Sequence, residues 1–385
     1  MREIYFDNSA TTKMSERAIE KMLEIAKGRY GNPSSLHSLG LDAERAMSEA
    51  RGIILSSLGI LRPQRGELVF TSGGTEANNL AIIGTALAKK RRGGEKIIIT
   101  EGEHSSVEEC ARHLAELGFE ILRVPTKAGA LDMDFIKSNA KGVVLCSLMH
   151  VNNETGALYD IKTAFELIRE QSPDCICHAD CVQSYLKVKF TRKSIGADLI
   201  SISAHKVNGP KGVGALYIAP ELLKAKKITP IVYGGGQEVG IRSGTENVYG
   251  ICAFGEAVRE HMASLASEID TMRELREYII SALPSEVRVN RPATVAPHII
   301  NITLPRIKSE TALHALSARG VLVSSGSACS SNSSHKASRA LVAFGITEDE
   351  ADSSIRISLC PQNTREEADE LITALCEIIK QLARK

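Results

Sequence analysis

Net charge is what this 385-residue sequence most plainly lacks: 47 Lys and Arg face 46 Asp and Glu, leaving +1 at pH 7 with histidine neutral. No overall basic field is available to hold nucleic acid or an anionic membrane surface, which directs attention to a small-molecule substrate. Long apolar runs are also missing. No stretch approaches the length of a membrane span, and the first residues, Met-Arg-Glu-Ile-Tyr-Phe-Asp-Asn, enter charge without the apolar core of a signal sequence. These features predict a cytoplasmic protein. The nine cysteines are odd in number and follow no disulfide-framework spacing, so free thiols in a reducing compartment are expected. Internal repeats and low-complexity segments are absent too. With 43% hydrophobic and 24% charged residues, the composition is that of a globular chain with room for two or three domains and a large core.

What is present begins with the stretch 201–217, Ser-Ile-Ser-Ala-His-Lys-Val-Asn-Gly-Pro-Lys-Gly-Val-Gly-Ala-Leu-Tyr. A β-leaning run over 197–203 feeds His205 and Lys206, and Asn208-Gly209-Pro210 turns the chain before a second strand at 213–218. Lys206 is thereby held at a strand end. A partly desolvated lysine amine there can lose its proton near neutral pH and form a Schiff base with an aldehyde, for which pyridoxal 5′-phosphate is the candidate.

The chain around it alternates strand and helix. After a short strand at 4–6, Ser15 is placed to cap a helix with Ala18, Ile19, Met22, Leu23 and Ala26 on one face, ended by Gly28. Gly31-Asn32-Pro33-Ser34-Ser35 reads as a loop and 41–61 as a second helix. Strands are expected at 67–71, 96–100, 119–124, 142–148, 174–179 and 197–203, with helices at 75–90, 105–117 and 161–171 among them. This predicts an α/β domain with a mostly parallel, seven-stranded sheet and ligands at the carboxyl ends of its strands. From about residue 247 a long helix is expected to run to about 283. It is followed by strands at 287–290 and 298–303, a helix at 309–318, strands at 321–324 and 354–359, and a closing helix from 364. The expected division is a large domain over 14–262 and a smaller α+β domain from 1–13 and 263–385.

Polar residues gather just after the expected strands. Thr71-Ser72-Gly73-Gly74-Thr75-Glu76 opens a helix whose free N–H groups suit a phosphate. His104 could stack on a flat ring, Asn153 could bond a phenolic oxygen, and Asp180 could pair with a protonated pyridine nitrogen, with Gln183 three residues on. Ser203 and His205 flank Lys206 and could donate to the phosphate. Singly, each residue reads equally well as an ordinary turn or solvated group; as a set at successive strand ends they point to one site.

The motifs Asp7-Asn8-x-Ala10-Thr11-Thr12, Gly31-Asn32-Pro33, Thr71-Ser72-Gly73-x-Thr75-Glu76, Glu103-His104, His150-Val151-Asn152-Asn153-Glu154 and Asp180-x-x-Gln183-Ser184 resemble the NifS/IscS-type cysteine desulfurases of the class-V aminotransferases. So do Ser203-x-His205-Lys206, Arg242-Ser243-Gly244-Thr245 and Ser324-Ser325-Gly326-Ser327-Ala328-Cys329, and the match runs from residue 4 to the last helix. The resemblance implies the fold type I, aspartate-aminotransferase-like architecture as a homodimer. It implies that Lys206 carries pyridoxal phosphate, Asp180 pairs with its ring nitrogen, and His104 stacks on the ring. On the same resemblance Gly74, Thr75, Ser203 and His205 would hold the phosphate, and Asn153 and Gln183 would lie near the phenolic oxygen. Arg356 would take the carboxylate of the substrate L-cysteine, and Thr245 would reach the phosphate of the other subunit. Cys329 is the implied nucleophile. It takes the sulfur as a persulfide, with His104 as a nearby proton acceptor, and passes it to an acceptor such as an iron–sulfur scaffold or tRNA thiolation; transient cluster ligation at Cys329 is the only metal contact implied.

Three departures from the pattern stand out. Val239 occupies a position usually held by arginine, the segment after Cys329 is more polar than usual, and the sequence stops at Lys385 without the longer tail used by some IscS-type members. Two other readings remain open: a selenocysteine lyase or other class-V aminotransferase with Cys329 incidental, and a metal or cluster carrier using Cys175, Cys177, His178 and Cys181.

Overall fold

The computed structural model describes residues 3–88, 95–325 and 337–382. Strand β1 is Ile4–Tyr5, followed by β2 Leu68–Thr71, β3 Lys96–Thr100, β4 Glu120–Val124, β5 Val143–Met149, β6 Ile176–Asp180, β7 Leu199–Ser203 and β8 Gly214–Ile218. The last seven form one sheet in the order β2-β8-β7-β6-β5-β3-β4. Only β8 runs against its neighbours, so the other six deliver their carboxyl ends to one edge. Runs such as Ile97-Ile98-Ile99 and Leu199-Ile200-Ser201-Ile202-Ser203 are buried throughout, as strands covered by helices on both faces must be. The predicted fold and its mostly parallel seven-stranded sheet are those observed.

Helices α1 Glu16–Gly28, α2 Ser38–Ser57, α3 Gly74–Ala88 and α4 Ser105–Glu116 fall near their expected places. Ser15 caps α1, its hydroxyl accepting from the Ala18 N–H. The loop before α2 needs glycine at Gly31, where a Cβ would sit 2.3 Å from the Leu39 carbonyl oxygen. After Lys206 the chain turns through Asn208 at φ 55°, a conformation asparagine tolerates better than most residues.

A second sheet is built later in the chain from β9 Arg288–Val289, β10 Ile299–Thr303, β12 Ser324–Ser325 and β13 Ser354–Ser358, in the order β12-β13-β10-β9. The single strand expected at 321–324 is instead split at Val323. Its first part, β11 Val321–Leu322, pairs in parallel with β1, whereas β12 pairs antiparallel with β13. The 35-residue helix Val248–Ala282, about 50 Å long, joins the two halves. Phe254 and Val258 near its start enter the core around the large sheet, and Met272 and Ile279 enter a second core with Phe6, Ile300, Ile357 and Leu371.

Candidate active site

The common strand edge opens into a cavity of about 330 Å³ lined by Gly74, Thr75, His104, Asn153, Asp180, Gln183, Ser203, His205, Lys206 and Arg356. Nearly all the residues singled out in the sequence meet here. Thr245 does not line this cavity; its side chain is exposed. Cys329 lies outside the described residues, but the strand that leads to it does not: Ser324 of β12 stands opposite Arg356 of β13.

Lys206 sits in a short turn directly after β7, and its amine donates to the backbone carbonyls of Ser9 and Ala10, the latter at 2.8 Å. Asp180 is the last residue of β6 and almost fully buried. Its Oδ1 accepts from the Val182 N–H at 2.9 Å and its Oδ2 from Asn78 Nδ2 at 2.7 Å. The described residues form no ion pair with this carboxylate, which is the arrangement a cationic ring nitrogen would complete.

Asn78 and Ser106 were not singled out by sequence reasoning, yet they connect the site. A carboxylate only accepts, so the amide nitrogen of Asn78 must face Asp180, and its other N–H reaches Ser106 Oγ at 2.9 Å. The Ser106 hydroxyl is then free to donate to His104 Nδ1, 2.9 Å away, which also accepts the Ser106 N–H at 3.1 Å. His104 thus caps α4, and its neutral ring carries the proton on Nε2. Burial, and to a smaller degree the Lys206 charge, hold it below the ordinary histidine range against the opposing pull of Asp180. The proton-accepting role expected for His104 would require Nδ1 to leave Ser106. The only sequence signal for Asn78 is a side-chain amide one turn beyond Gly74, inside a buried helix.

His205, its Nδ1 3.2 Å from Thr11 Oγ1, is pushed down to about 4 by burial and by nearby lysines, and is therefore neutral. Arg356 Nη1 donates to the Asn153 carbonyl and Nη2 to Asp7, each at 2.8 Å, while its buried Nε has no partner among the described residues. Gln183 Nε2 is tied to the Ser9 carbonyl at 2.8 Å, and Ser203 Oγ and Gln183 Oε1 are buried without described partners. Buried orphan groups, a helix start at Gly74 and Thr75, a carboxylate lacking a cation and a tethered lysine together fit pyridoxal phosphate.

The alternative Cys175, Cys177, His178 and Cys181 cluster does not assemble as a metal site. Both ring nitrogens of His178 are used at 2.8 Å, by Ser147 and Ser201, and burial drives the ring down to about 3. Burial likewise holds the Cys177 and Cys181 thiols protonated. Among the described residues no group of three or more His, Cys, Asp or Glu side chains could hold a metal ion.

The aminotransferase class-V family profile matches residues 4–371. The chain belongs to that family. Within it, the similarity is to the NifS/IscS type. Cysteine desulfurase IscS of Dictyoglomus turgidum is 39% identical over 387 residues, spanning 99% of this chain and 95% of that one. Cysteine desulfurase IscS 1 of Archaeoglobus fulgidus is 36% identical over 383 residues, spanning 98% and 97%. Among solved structures, a NifS-like protein superposes with a TM-score of 0.91 at 32% identity, covering 99% of this chain and all of that one. A structure described as SspA in complex with cysteine gives 0.80 at 32%, covering 94% and 99%. Class-V aminotransferases depend on pyridoxal phosphate. Within this class-V chain, Val239 stands at φ 53°, beside Glu238 at φ 47°, so a β-branched residue occupies a strained, exposed position at the rim of a second cavity. Among the described residues no helix is long and apolar enough to cross a membrane.

Proposed function

We propose that this protein converts L-cysteine to L-alanine and keeps the sulfur on Cys329 as a persulfide, for delivery to an acceptor such as an iron–sulfur scaffold or the machinery of tRNA thiolation. The observation that carries the reading is the joining of Lys206 and the cation-free Asp180 on one cavity with Arg356, whose sheet also bears the strand leading to Cys329. The balance is simple. The C–S bond of cysteine breaks, an S–S bond forms to Cys329, and the thiol proton of Cys329 offsets the hydrogen gained at carbon. Carbon is reduced, sulfur is oxidised, and no outside redox partner is needed.

Pyridoxal phosphate, when bound, supplies an electron sink for charge developing at the substrate Cα. Lys206 would hold it, Asp180 would keep its ring nitrogen protonated, and the first N–H groups of α3 with Ser203 and His205 would receive its phosphate. His104 would lie against its ring, with Asn153 and Gln183 beside the phenolic oxygen. Once released, the Lys206 amine is placed to move the proton at Cα. Arg356 has donated two of its five N–H groups to Asn153 and Asp7, leaving the Nε edge for the substrate carboxylate. Ionisation makes Cys329 a nucleophile, since a thiolate and not a thiol attacks sulfur.

The test is borohydride reduction of the purified protein, expected to be yellow, followed by peptide mapping. Cofactor mass on the Lys206 peptide is the expected result; mass on another lysine would refute the assignment. Thr245, exposed on its own chain, is proposed to contact the phosphate bound by a second copy, in a two-fold homodimer. Sedimentation should give a dimer, and a monomer that still releases alanine would exclude that arrangement. Among cytoplasmic roles, the choice of sulfur acceptor depends on surfaces beyond this cavity.

A further inference from the structure

We infer that Glu103 is a positioning residue, whose carboxyl ties together the two strand ends that present His104 and Asn153 to the cavity. One oxygen, Oε1, accepts from the Thr100 N–H at 3.3 Å, the Thr100 hydroxyl at 2.8 Å and the Met149 N–H at 2.9 Å. Thr100 ends β3 and Met149 ends β5. His104 follows Glu103 directly, and Asn153 follows Met149 by four residues. A single oxygen therefore extends the β3–β5 pairing, which ends at Ile99 and Ser147, to the residues that lead to His104 and Asn153.

Glu103 does this from a buried position, and its Oε2 has no partner among the described residues. The titratable groups facing it are Asp180 on β6, Cys146 on β5 and Tyr159 beyond it, none of them a cation. Burial keeps Cys146 and Tyr159 protonated, so Asp180 is the only charge in the set. Burial first, and Asp180 second, push the Glu103 carboxyl up to about 8, against the three hydrogen bonds that pull it down. Asp180 lines the cavity, whereas Glu103 lies behind the lining residues His104 and Met149 as a carboxyl that burial and the nearby Asp180 favour in its neutral form. Ionising Glu103 would add a second negative charge beside Asp180.

Two variants test this. Glu103→Gln keeps the accepting oxygen and places an N–H where the acid has its O–H, whereas Glu103→Ala keeps neither. In the unfolded chain the carboxyl ionises near its ordinary value, so raising the pH draws protons from the unfolded state first and weakens folding up to about 8. Glu103→Gln has no such proton to lose. In urea unfolding of the cofactor-loaded protein, the ratio of its folding constant to the parent's should grow on the order of a hundredfold between about pH 5.5 and about pH 7.5. A ratio constant with pH would overturn the inference. In alanine release, Glu103→Ala should lower kcat roughly tenfold with a smaller change in KM, and Glu103→Gln should restore at least about a third of it. An alanine variant with the parent kcat, or a glutamine variant as impaired as the alanine one, would also overturn it. The activity measurement rests on the proposed function, but the unfolding measurement does not. Absence of alanine release by the parent and a pH-independent folding ratio are therefore distinguishable failures.

Discussion

At the scale of single residues, the site depends on groups that are already engaged. Asp180 is oriented by Asn78 and Val182, Lys206 by two carbonyls, Arg356 by Asp7 and Asn153. The least replaceable of these supports is Asn78, because one amide nitrogen serves Asp180 and, through Ser106, sets the His104 ring. Hydrogen bonds to charged groups contribute about 1.5–3 kcal/mol each. Asn78→Ala should therefore weaken pyridoxal phosphate retention and slow turnover on the order of tenfold to a hundredfold, while far-ultraviolet dichroism stays that of the parent. Equilibrium dialysis of the cofactor checks the first effect, and parent-like retention would show that the relay is dispensable. Asn78 and Ser106 were not legible in the sequence, since an amide in a helix and a serine near a helix start are ordinary polar residues until a carboxylate is seen opposite them. The Ser9 and Ala10 carbonyls that receive Lys206 carry no side-chain signal at all.

At the scale of elements, strand-helix alternation was legible because short β-leaning runs, Ile97-Ile98-Ile99 in β3 and Val143-Val144-Leu145 in β5 among them, alternate with amphipathic helices. The split of residues 321–325 between two sheets was not, because its partners, β1 and β13, lie far away in sequence and local pattern cannot select them. Another such non-local device is the loop before Arg242. Its two left-handed residues are held by Glu238, which accepts from Arg51 at 2.7 and 2.9 Å and from the Phe70 N–H at 2.9 Å. Arg242 then meets Glu76, in the first turn of α3, at 2.7 Å. Removing Glu238 leaves the Arg51 guanidinium, 24% exposed, without its ion pair though still bonded to the Leu68 carbonyl, and leaves the Phe70 N–H without its acceptor. Glu238→Ala should destabilise the fold by about 2 kcal/mol, below the full penalty of a completely buried pair, and should loosen the segment bearing Thr245. Urea unfolding and limited proteolysis would reveal this; an unchanged midpoint would show that the clamp holds nothing.

At the scale of the whole molecule, the proposed reaction would be divided between two halves joined by the helix Val248–Ala282. The large sheet provides Lys206 and Asp180, and the small sheet provides Arg356 and the strand that leads to Cys329. Cofactor chemistry and sulfur capture should therefore be separable. The measurement that bears most directly on this claim is mass spectrometry of alkylated protein after exposure to L-cysteine, with alanine quantified in the same sample. The parent should gain one sulfur atom on the Cys329 peptide for each alanine released in the first turnover. Cys329→Ser should bind pyridoxal phosphate and change its visible spectrum with cysteine, yet release alanine on the order of a hundredfold more slowly and carry no persulfide. Alanine and sulfide released by Cys329→Ser at the parent rate would contradict the desulfurase mechanism and favour a lyase or aminotransferase in the same fold.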